Sequence, residues 1–509
     1  MPLPPARRLL APALLAIGLA AWVGPLGAQR GPDAPADDPA PAEAPDFSFA
    51  TNETLCVLHF LHTATGGEHA SPTYRHYVDT ALAGDAAFAA LAARYAALDL
   101  DAGYRRAGLP RRRYRSRSVM DLLWLRATSA HSLDDFSERA FGLLPAAQHA
   151  ELFAVLAAAQ PYYRRLVWDR ERVAIARAER FLDGYEARVG ALFGRVADFY
   201  GTPWPASLPF TVALCPIPLA SGTTSAVPKA STLVCSYLTG DPDGHRATLG
   251  VAVHEMCHSL YDEQPARLQQ DLDDWFALSP SPYATYAYAY FNEALATAIG
   301  NGWAYERLNG YPDGGEWYAD PVIDGYARAL LPRASSYLAA GRALDRPFVE
   351  AAVEAFAKTF PEAYRDVDVL MHAVGIYADT EDDATLEALS GELFARFRIG
   401  SSYLRAPLAS GGAVRSMGYP QLTKVFVVDR DRAGNWALLQ STFADVEGLA
   451  APADANVAYA FYDEASRSPV LVLLVEDAAG LGAVLDQLRR DRLLDFGAFV
   501  SVGAARAGE

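Results

Sequence analysis

The sequence predicts an α+β fold that is mainly helical and ends in a small α/β domain. Three observations support this. From residue 47 to about residue 200, apolar residues recur at helical spacing, and from 201 to about 345 two strand-like runs alternate with helices. After Ser410-Gly411-Gly412, short runs of Val, Leu and Phe are typical of buried strands. The 509 residues are enough for several domains.

The first 28 residues have the three parts of a signal peptide. Arg7 and Arg8 precede an apolar run from Leu9 to Val23, and small residues follow up to Ala28. An uncleaved anchor is the alternative, but the run is shorter than the roughly 20 residues of a spanning helix. We expect an exported protein, periplasmic or secreted, with no stable membrane insertion once residues 1–28 are removed.

Residues 29–46 are rich in Pro, Ala, Gly and Asp and predict a disordered spacer. The next region, 47–200, predicts helices at Phe88–Ala97, at Leu152–Ala159 and along the charged amphipathic stretch from Trp168 to Phe199. We expect this helical N-terminal region to face solvent and to cover a cleft.

Residues 201–410 form the central predicted domain. Thr211–Leu214 and Thr232–Cys235 are predicted strands, and 346–405 is predicted to be helical. Extended peptides bind along exposed sheet edges. The later strand, Thr232–Cys235, is predicted to be such an edge. For the loop at 221–225, the alternative to a role beside a bound peptide is an ordinary connection between the two strands.

Residues 411–509 predict the small α/β domain. The expected strands are Lys424–Val428, Val457–Phe461 and Val470–Val475, with a helix from Leu481 to Arg490 and a last strand near Phe499. Such buried apolar strands are typical of a partly parallel sheet. The sequence has no dinucleotide fingerprint and no phosphate-binding loop, so no cofactor-binding residues are predicted in this domain.

The net charge and the cysteine content restrict the partners and the disulfides that can be expected. The chain has 44 basic and 61 acidic residues, a net charge of −17, which becomes −19 without Arg7 and Arg8, the charges of residues 1–28. This balance repels phosphate backbones, so nucleic acid is not an expected partner. Four cysteines allow at most two disulfides in an exported protein, and a bridge between Cys215 and Cys235 is the one we expect. No feature of the sequence predicts an oligomeric state.

The most informative motif is His254-Glu255-Met256-Cys257-His258. Residues four apart on a helix point the same way, so His254 and His258 can bind one metal ion while Glu255 lies beside them. Apolar residues before and after the motif predict a buried helix. Asp262 follows at the next helical turn, either as a partner for a ligand imidazole or as part of a solvated helix end.

A third ligand is expected from a second helix. Asn292-Glu293-Ala294-Leu295-Ala296-Thr297 is the best candidate, because small and apolar residues continue to a predicted helix stop at Gly300-Asn301-Gly302. Glu293 lies 35 residues after His258.

The two motifs together resemble the gluzincin metallopeptidases, which carry HExxH on one helix and an Asn-Glu-x-x-Ala type motif on a second. The likeness covers roughly residues 205–335 and implies a zincin-like catalytic domain, Zn²⁺ as cofactor, and His254, His258 and Glu293 as its ligands. The third histidine of the metzincins is absent, and Thr297 stands where thermolysin-like enzymes have Asp. The resemblance therefore points to an uncharacterised branch.

The same resemblance implies an enzyme that hydrolyses peptide bonds of peptide or protein substrates. Glu255 would be the general base. Tyr326 and His372 are the candidates for hydrogen-bonding the oxyanion, and ordinary packing is the alternative for both. The competing function is a non-catalytic exported binding protein that retains a zincin-like fold; an intact Glu255 favours the enzyme.

Overall fold

The computed structural model describes residues 45–502 except 68, 99, 101, 107–114, 242–243, 418–422 and 455. The predicted signal peptide and all but the last two residues of the predicted spacer lie outside this part of the chain. The described chain is a mixed α/β protein in which helices predominate, as the sequence predicts. None of the described helices combines the length and apolar content needed to cross a membrane.

The strands and helices are numbered in chain order. The strands are β1 (Phe47–Thr51), β2 (Gly103–Arg106), β3 (Arg115–Ser118), β4 (Phe210–Ile217), β5 (Ala226–Lys229), β6 (Thr232–Leu238), β7 (Ala373–Ala378), β8 (Ser401–Arg405), β9 (Thr423–Val428), β10 (Val457–Asp463), β11 (Ser468–Leu474) and β12 (Phe499–Ser501). The α-helices are α1 (Glu53–Ala64), α2 (Pro72–Ala81), α3 (Ala86–Ala96), α4 (Val119–Thr128), α5 (Leu133–Ala140), α6 (Ala146–Tyr163), α7 (Asp169–Asp183), α8 (Glu186–Tyr200), α9 (Gly244–Asp262), α10 (Ala266–Ala277), α11 (Ala284–Thr297), α12 (Tyr305–Asn309), α13 (Pro321–Ala339), α14 (Arg346–Thr359), α15 (Val367–Leu370), α16 (Asp383–Arg396), α17 (Gly411–Met417), α18 (Arg432–Thr442) and α19 (Ala478–Asp491). Two π-helical segments, Arg164–Trp168 and Ala298–Ala304, and a 3₁₀ turn, Ala444–Val446, complete the set.

The described chain forms two compact units. The first unit runs up to Ser279 and also contains Tyr290–Ala355; the second contains Pro280–Ala289 and the residues from Phe356 on. Each unit has its own main sheet and its own hydrophobic core, and the first unit also contains the antiparallel pair β2-β3.

The sheet of the first unit has the order β1-β4-β6-β5. β1, β4 and β6 are parallel, and β5 pairs antiparallel with β6. Two predictions are corrected here. The N-terminal region is not purely helical, because Phe47–Thr51 supplies an edge strand beside β4. The predicted edge at Thr232–Cys235 is also wrong: β6 has neighbours on both sides, and β5 is the edge.

Helices cover both faces of this sheet. Side chains of β4 and β6, including Ala213, Cys215 and Val234, share one core with residues of α1 to α6. Because neighbouring residues of a strand point to opposite faces, the alternate side chains are left for another layer. Helix α9 supplies it and contacts β5 and β6. Because β4 and β6 are buried on both faces, their sequences are almost continuously apolar.

The cysteines do not form the expected bridge. Cys56, Cys215, Cys235 and Cys257 are all buried and free. Leu214, rather than Cys215, is the register partner of Cys235 in the parallel ladder, and Cys215 pairs with Ser236. Adjacent residues of a strand point to opposite faces, so Cys215 and Cys235 face different layers and cannot meet.

The second unit contains a six-stranded sheet of order β12-β10-β11-β9-β7-β8. Strands β11, β9, β7 and β8 are parallel, whereas β10 is antiparallel to its neighbours β11 and β12. The predicted C-terminal strands and the predicted helix at 481–490 are all present. The helical prediction for 346–405 is wrong in part, because β7 and β8 add two strands to this sheet.

Candidate metal centre

The motif His254-Glu255-Met256-Cys257-His258 lies on a buried helix, α9, as predicted. The side chains from Leu249 to Cys257 are buried, so this part of the helix is enclosed on all sides. The helix ends at Asp262, three residues before Pro265, whose ring would clash with a continuing helix. His254 is completely buried and the His258 side chain is 14% exposed, so His258 faces the open side of the site.

The second motif lies on α11, where Glu293 faces the two histidines. The Nε2 atoms of His254 and His258 are 3.0 Å apart. Glu293 Oε2 lies 3.7 Å from His254 Nε2, and Glu293 Oε1 lies 3.4 Å from His258 Nε2. The structure thus brings together the three ligands that the sequence predicts.

These separations fit a shared metal ion. Ligand atoms about 2.0–2.1 Å from a tetrahedral ion are about 3.3 Å from one another. The three observed separations, 3.0, 3.4 and 3.7 Å, scatter around that value. Within the described residues, His254, His258 and Glu293 are the group whose donor atoms can hold a metal ion.

A close contact between two helices fixes His254. The predicted helix stop at Gly300-Asn301-Gly302 is wrong: the chain continues as the π-helix Ala298–Ala304 and then as α12, which ends before Gly310 in the left-handed conformation. A Cβ on Gly300 would lie 2.5 Å from the His254 backbone nitrogen. Gly300 therefore permits close helix packing and does not end the helix.

Several side chains surround the His254 imidazole. Thr297 Oγ1 lies 3.4 Å from its Nδ1, and the Tyr318 ring stacks on it with centroids 6.3 Å apart. Asn301 also lies next to it and acts to raise its pKa. The sequence drew attention to Thr297 through its position after Glu293; nothing in the sequence pattern singled out Tyr318.

The ionisable side chains of the site shift one another's pKa values. Burial lowers the pKa of His254, although Glu293 opposes this. Burial also acts to lower the pKa of His258, but the Glu293 carboxylate outweighs it and raises that pKa to about 9. For Glu293 the charge of His258 and hydrogen bonds from both imidazoles overcome burial, so its pKa is held well below its usual range. A carboxylate and a histidine cation therefore share the place where a metal ion would lie.

Glu255 is only 3% exposed. Burial raises its pKa to about 8, with a further upward push from Glu293 and opposing contributions from His258 and Lys229. A nearby divalent cation would favour the ionised form and lower this pKa. Asp262, at the helix end, is among the charges that raise the pKa of His258.

The other two predicted site residues have different surroundings. Tyr326 is fully buried on α13, and its hydroxyl donates a hydrogen bond to the Ala352 carbonyl at 3.1 Å. His372 belongs to the second unit, where it is buried and its ring lies against Gly400.

Comparisons with known proteins give no relative. Neither the protein-family models, nor the curated proteins, nor the solved structures contain a match to this chain. Function must therefore be argued from the site itself.

Proposed function

We propose that this chain is an exported zinc-dependent metallopeptidase of gluzincin type, with a zincin-like domain built around α9 and the sheet of the first unit. The observation that carries the proposal is the convergence of His254, His258 and Glu293 at separations of 3.0–3.7 Å. Two imidazoles and one carboxylate match the donor sets of catalytic zinc sites, which leave one position for water or substrate.

A zinc ion held by these three residues would polarise a peptide carbonyl and lower the pKa of water to about 7. Glu255 precedes Met256 on α9 and is coupled electrostatically to both His258 and Glu293. Its carboxylate would take a proton from the attacking water and pass it to the leaving amine. Because a bound cation favours the ionised carboxylate, the site would activate its own base when the metal binds.

The side chains around His254 would hold its imidazole ring in one orientation. If His254 held the metal through Nε2, its Nδ1 would carry the proton and could donate it in a hydrogen bond to Thr297 Oγ1, 3.4 Å away. Thr297 would thus replace the Asp of thermolysin-like enzymes as a neutral acceptor. Tyr326 and His372 stay predictions for the oxyanion donor; Tyr318, whose ring lies on His254, is a further candidate for this role.

A peptide substrate would pair with the sheet edge. Among the described strands, β5 has β6 on one side and no strand on the other, and it contacts α9. Main-chain hydrogen bonding to such an edge is a common way of binding extended peptides. This supports a peptide or protein substrate, whereas the net charge of −17 argues against nucleic acid.

The test is metal analysis followed by turnover. Purified protein should contain about one zinc per chain, and it should cleave members of a peptide library. Glu255→Gln should keep the metal but lose at least about a hundredfold in kcat, the usual contribution of a general base. The matched control is Glu263→Gln, an exposed carboxamide substitution just beyond the same helix.

The second candidate is a non-catalytic exported binding protein with the same fold. It predicts metal binding without turnover in either wild type or Glu255→Gln. The burial of Glu255 favours the enzyme, because a carboxyl group that is 3% exposed costs stability and has no structural use in a mere binding protein.

A further inference from the structure

The parallel strands of the second unit contain a point where the chain changes its direction across the sheet. β8 follows β7 in the chain and pairs with it on one side, whereas the next strand, β9, pairs with β7 on the other side. β11 lies beyond β9. In open α/β sheets, ligands bind outside the carboxyl ends of the strands at such a switch point. The carboxyl ends of β7 and β9 are therefore where this unit would bind a ligand.

Each of these two strands is followed directly by an aspartate, Asp379 after β7 and Asp429 after β9. Asp379 is held by donors on both of its oxygens. Its Oδ1 accepts the backbone N–H of Asp429 at 3.1 Å. Its Oδ2 accepts the backbone N–H of Arg430 at 2.8 Å and the side-chain amide of Asn435 at 3.0 Å. These bonds fix the orientation of the Asp379 carboxyl group.

The Asp429 side chain is buried without such bonds. It is 7% exposed, and its Oδ1 has no hydrogen-bond partner among the residues that the structure describes. Its Oδ2 lies 3.8 Å from Nε of Arg430, which is beyond hydrogen-bonding distance. The Arg430 side chain is 56% exposed, so solvent screens this ion pair. A buried carboxylate is usually paired or bound to a metal, and Arg430 does not fully satisfy this one.

The two carboxyl groups adjoin each other, because Asp429 acts on Asp379 both through its charge and as a hydrogen-bonding neighbour. Carboxylates this close repel each other unless they share a proton or a cation. Their oxygens are the ligands that hard divalent cations prefer. Mg²⁺ in particular is commonly bound by one or two carboxylates and keeps water at its other positions. The pair therefore has the donor set of a magnesium site.

We propose that Asp379 and Asp429 form a second metal site, which binds Mg²⁺ at the carboxyl ends of β7 and β9. Oδ1 of Asp429 and an oxygen of Asp379 would be the protein ligands. Unlike the three-ligand group of the first unit, this site uses two side chains and leaves the other positions to water. Its residues all belong to the second unit, and the site does not depend on the proposed peptidase function.

The experiment titrates Mg²⁺ into the full chain by calorimetry, after treatment with a chelator and addition of about one equivalent of zinc. Zinc prefers the imidazoles of His254 and His258, so Mg²⁺ then reports on other sites. We expect about one Mg²⁺ per chain. Loss of a group that merely supports a ligand costs about 10–100-fold in affinity, so Asp429→Asn, which removes a ligand, should bind at least about tenfold more weakly.

Glu447→Gln is the matched control. It removes the same charge from the same unit at an exposed position beyond the other end of α18, and it should bind Mg²⁺ like wild type.

Thermal unfolding separates loss of binding from loss of folding. Mg²⁺ should raise the unfolding temperature of wild type, because a ligand that binds the folded chain stabilises it. In chelator, Asp429→Asn should unfold cooperatively at a temperature no lower than wild type, because it removes a repulsion; Mg²⁺ should not shift this temperature. Wild type without saturable Mg²⁺ binding, or equal affinity in Asp429→Asn, overturns the site. Binding that disappears once zinc is added belongs to the first unit and overturns it too.

Discussion

Gly300 packs directly on the backbone of His254. A Cβ at position 300 would lie 2.5 Å from the nitrogen and 2.6 Å from the Cα of His254, both closer than real Cβ atoms approach. The π-helix that carries Gly300 follows immediately after α11, which carries Glu293. One close contact thus links the helices that carry the three candidate metal ligands.

Gly300→Ala should therefore disturb the metal centre. The extra methyl group meets backbone atoms that cannot rotate away, so we expect a loss of stability of about 1–3 kcal/mol and weaker zinc binding. Thermal unfolding and zinc competition with a chelator measure both effects. Gly391→Ala is the control: its Cβ meets no atom within 4 Å in the exposed middle of α16, and the helix should gain up to about 1 kcal/mol. Equal zinc affinity in Gly300→Ala and wild type would contradict the role of this contact.

Metal binding should release protons. The pKa of His258 is about 9 without metal, because Glu293 outweighs burial, so at pH 7 this imidazole is protonated. A ligand imidazole must be neutral, and binding therefore expels at least about one proton per ion at pH 7. Affinity should rise with pH until about pH 9. Calorimetric titration in buffers of different ionisation enthalpy counts the protons.

Glu293→Gln provides the control for proton release. Without the carboxylate, burial dominates the pKa of His258 and keeps the ring neutral at pH 7, so little proton release is expected along with weaker binding. Zinc affinity that does not change between pH 6 and pH 9 in wild type would show that His258 is not the protonated group.

Because of Lys424, the stability of the second unit should rise with pH in the alkaline range. The Lys424 side chain is fully buried and hydrogen-bonds to Ser466 and Ser468. Burial lowers its pKa to about 8, although Asp463 opposes this. The unfolded chain then binds more protons than the folded chain between pH 8 and the ordinary lysine pKa of about 10.4, so stability rises with pH there, by at most ~1.4 kcal/mol per pH unit.

The measurement is the free energy of unfolding against pH for wild type and Lys424→Met. The difference between the two curves isolates Lys424 from the other groups that titrate in this range. Parallel curves would mean that the lysine keeps its ordinary pKa in the folded unit.

Because of Asp379, the stability of the second unit should instead fall as pH rises in the acidic range. Asp379 follows β7 and accepts backbone hydrogen bonds from Asp429 and Arg430 at 3.1 and 2.8 Å. Burial, and then the neighbouring Asp429 carboxyl group, raise the pKa of Asp379 to about 7. The folded chain binds more protons than the unfolded chain between about pH 4 and pH 7, so this group lowers stability as pH rises through that window.

Asp429→Asn removes the neighbouring carboxyl group, so stability should fall less steeply as pH rises. The remaining part is due to burial, which comes first among the causes. Urea unfolding at several pH values between 4 and 7 follows the effect. Glu387→Gln, on the exposed surface of α16, is the control and should leave the slope unchanged. An identical slope in Asp429→Asn would exclude the coupling of the two aspartates.

The two candidate histidine ligands could be predicted because local geometry decides their relative position. His254 and His258 are one helical turn apart, so any helix at that position brings them together. The strands β4, β6, β9, β10 and β11 could also be predicted, because their runs of β-branched and apolar residues are bounded by turn signals. Gly300 shows the limit: a glycine after a helix commonly ends it, and only the neighbouring backbone of His254 reveals that this one permits close packing.

The order of the strands could not be predicted from the sequence either. Nothing in Phe47–Thr51 announces that it pairs with β4, more than 150 residues later in the chain, and the edge position of β5 depends on which strands remain without a neighbour. The sequence predicts helix where β7 and β8 lie, because short apolar runs fit both structures.

The sequence by itself determined the helix with its two histidines, the glutamate helix, the buried strands and the charge of the chain, because each depends on residues near one another along the chain. Tertiary structure decided how far Glu293 lies from the imidazoles, which strand has a free edge, and that Cys215 and Cys235 face different layers. These depend on packing between distant segments, and the free energy of that packing is spread over many contacts that no local pattern records.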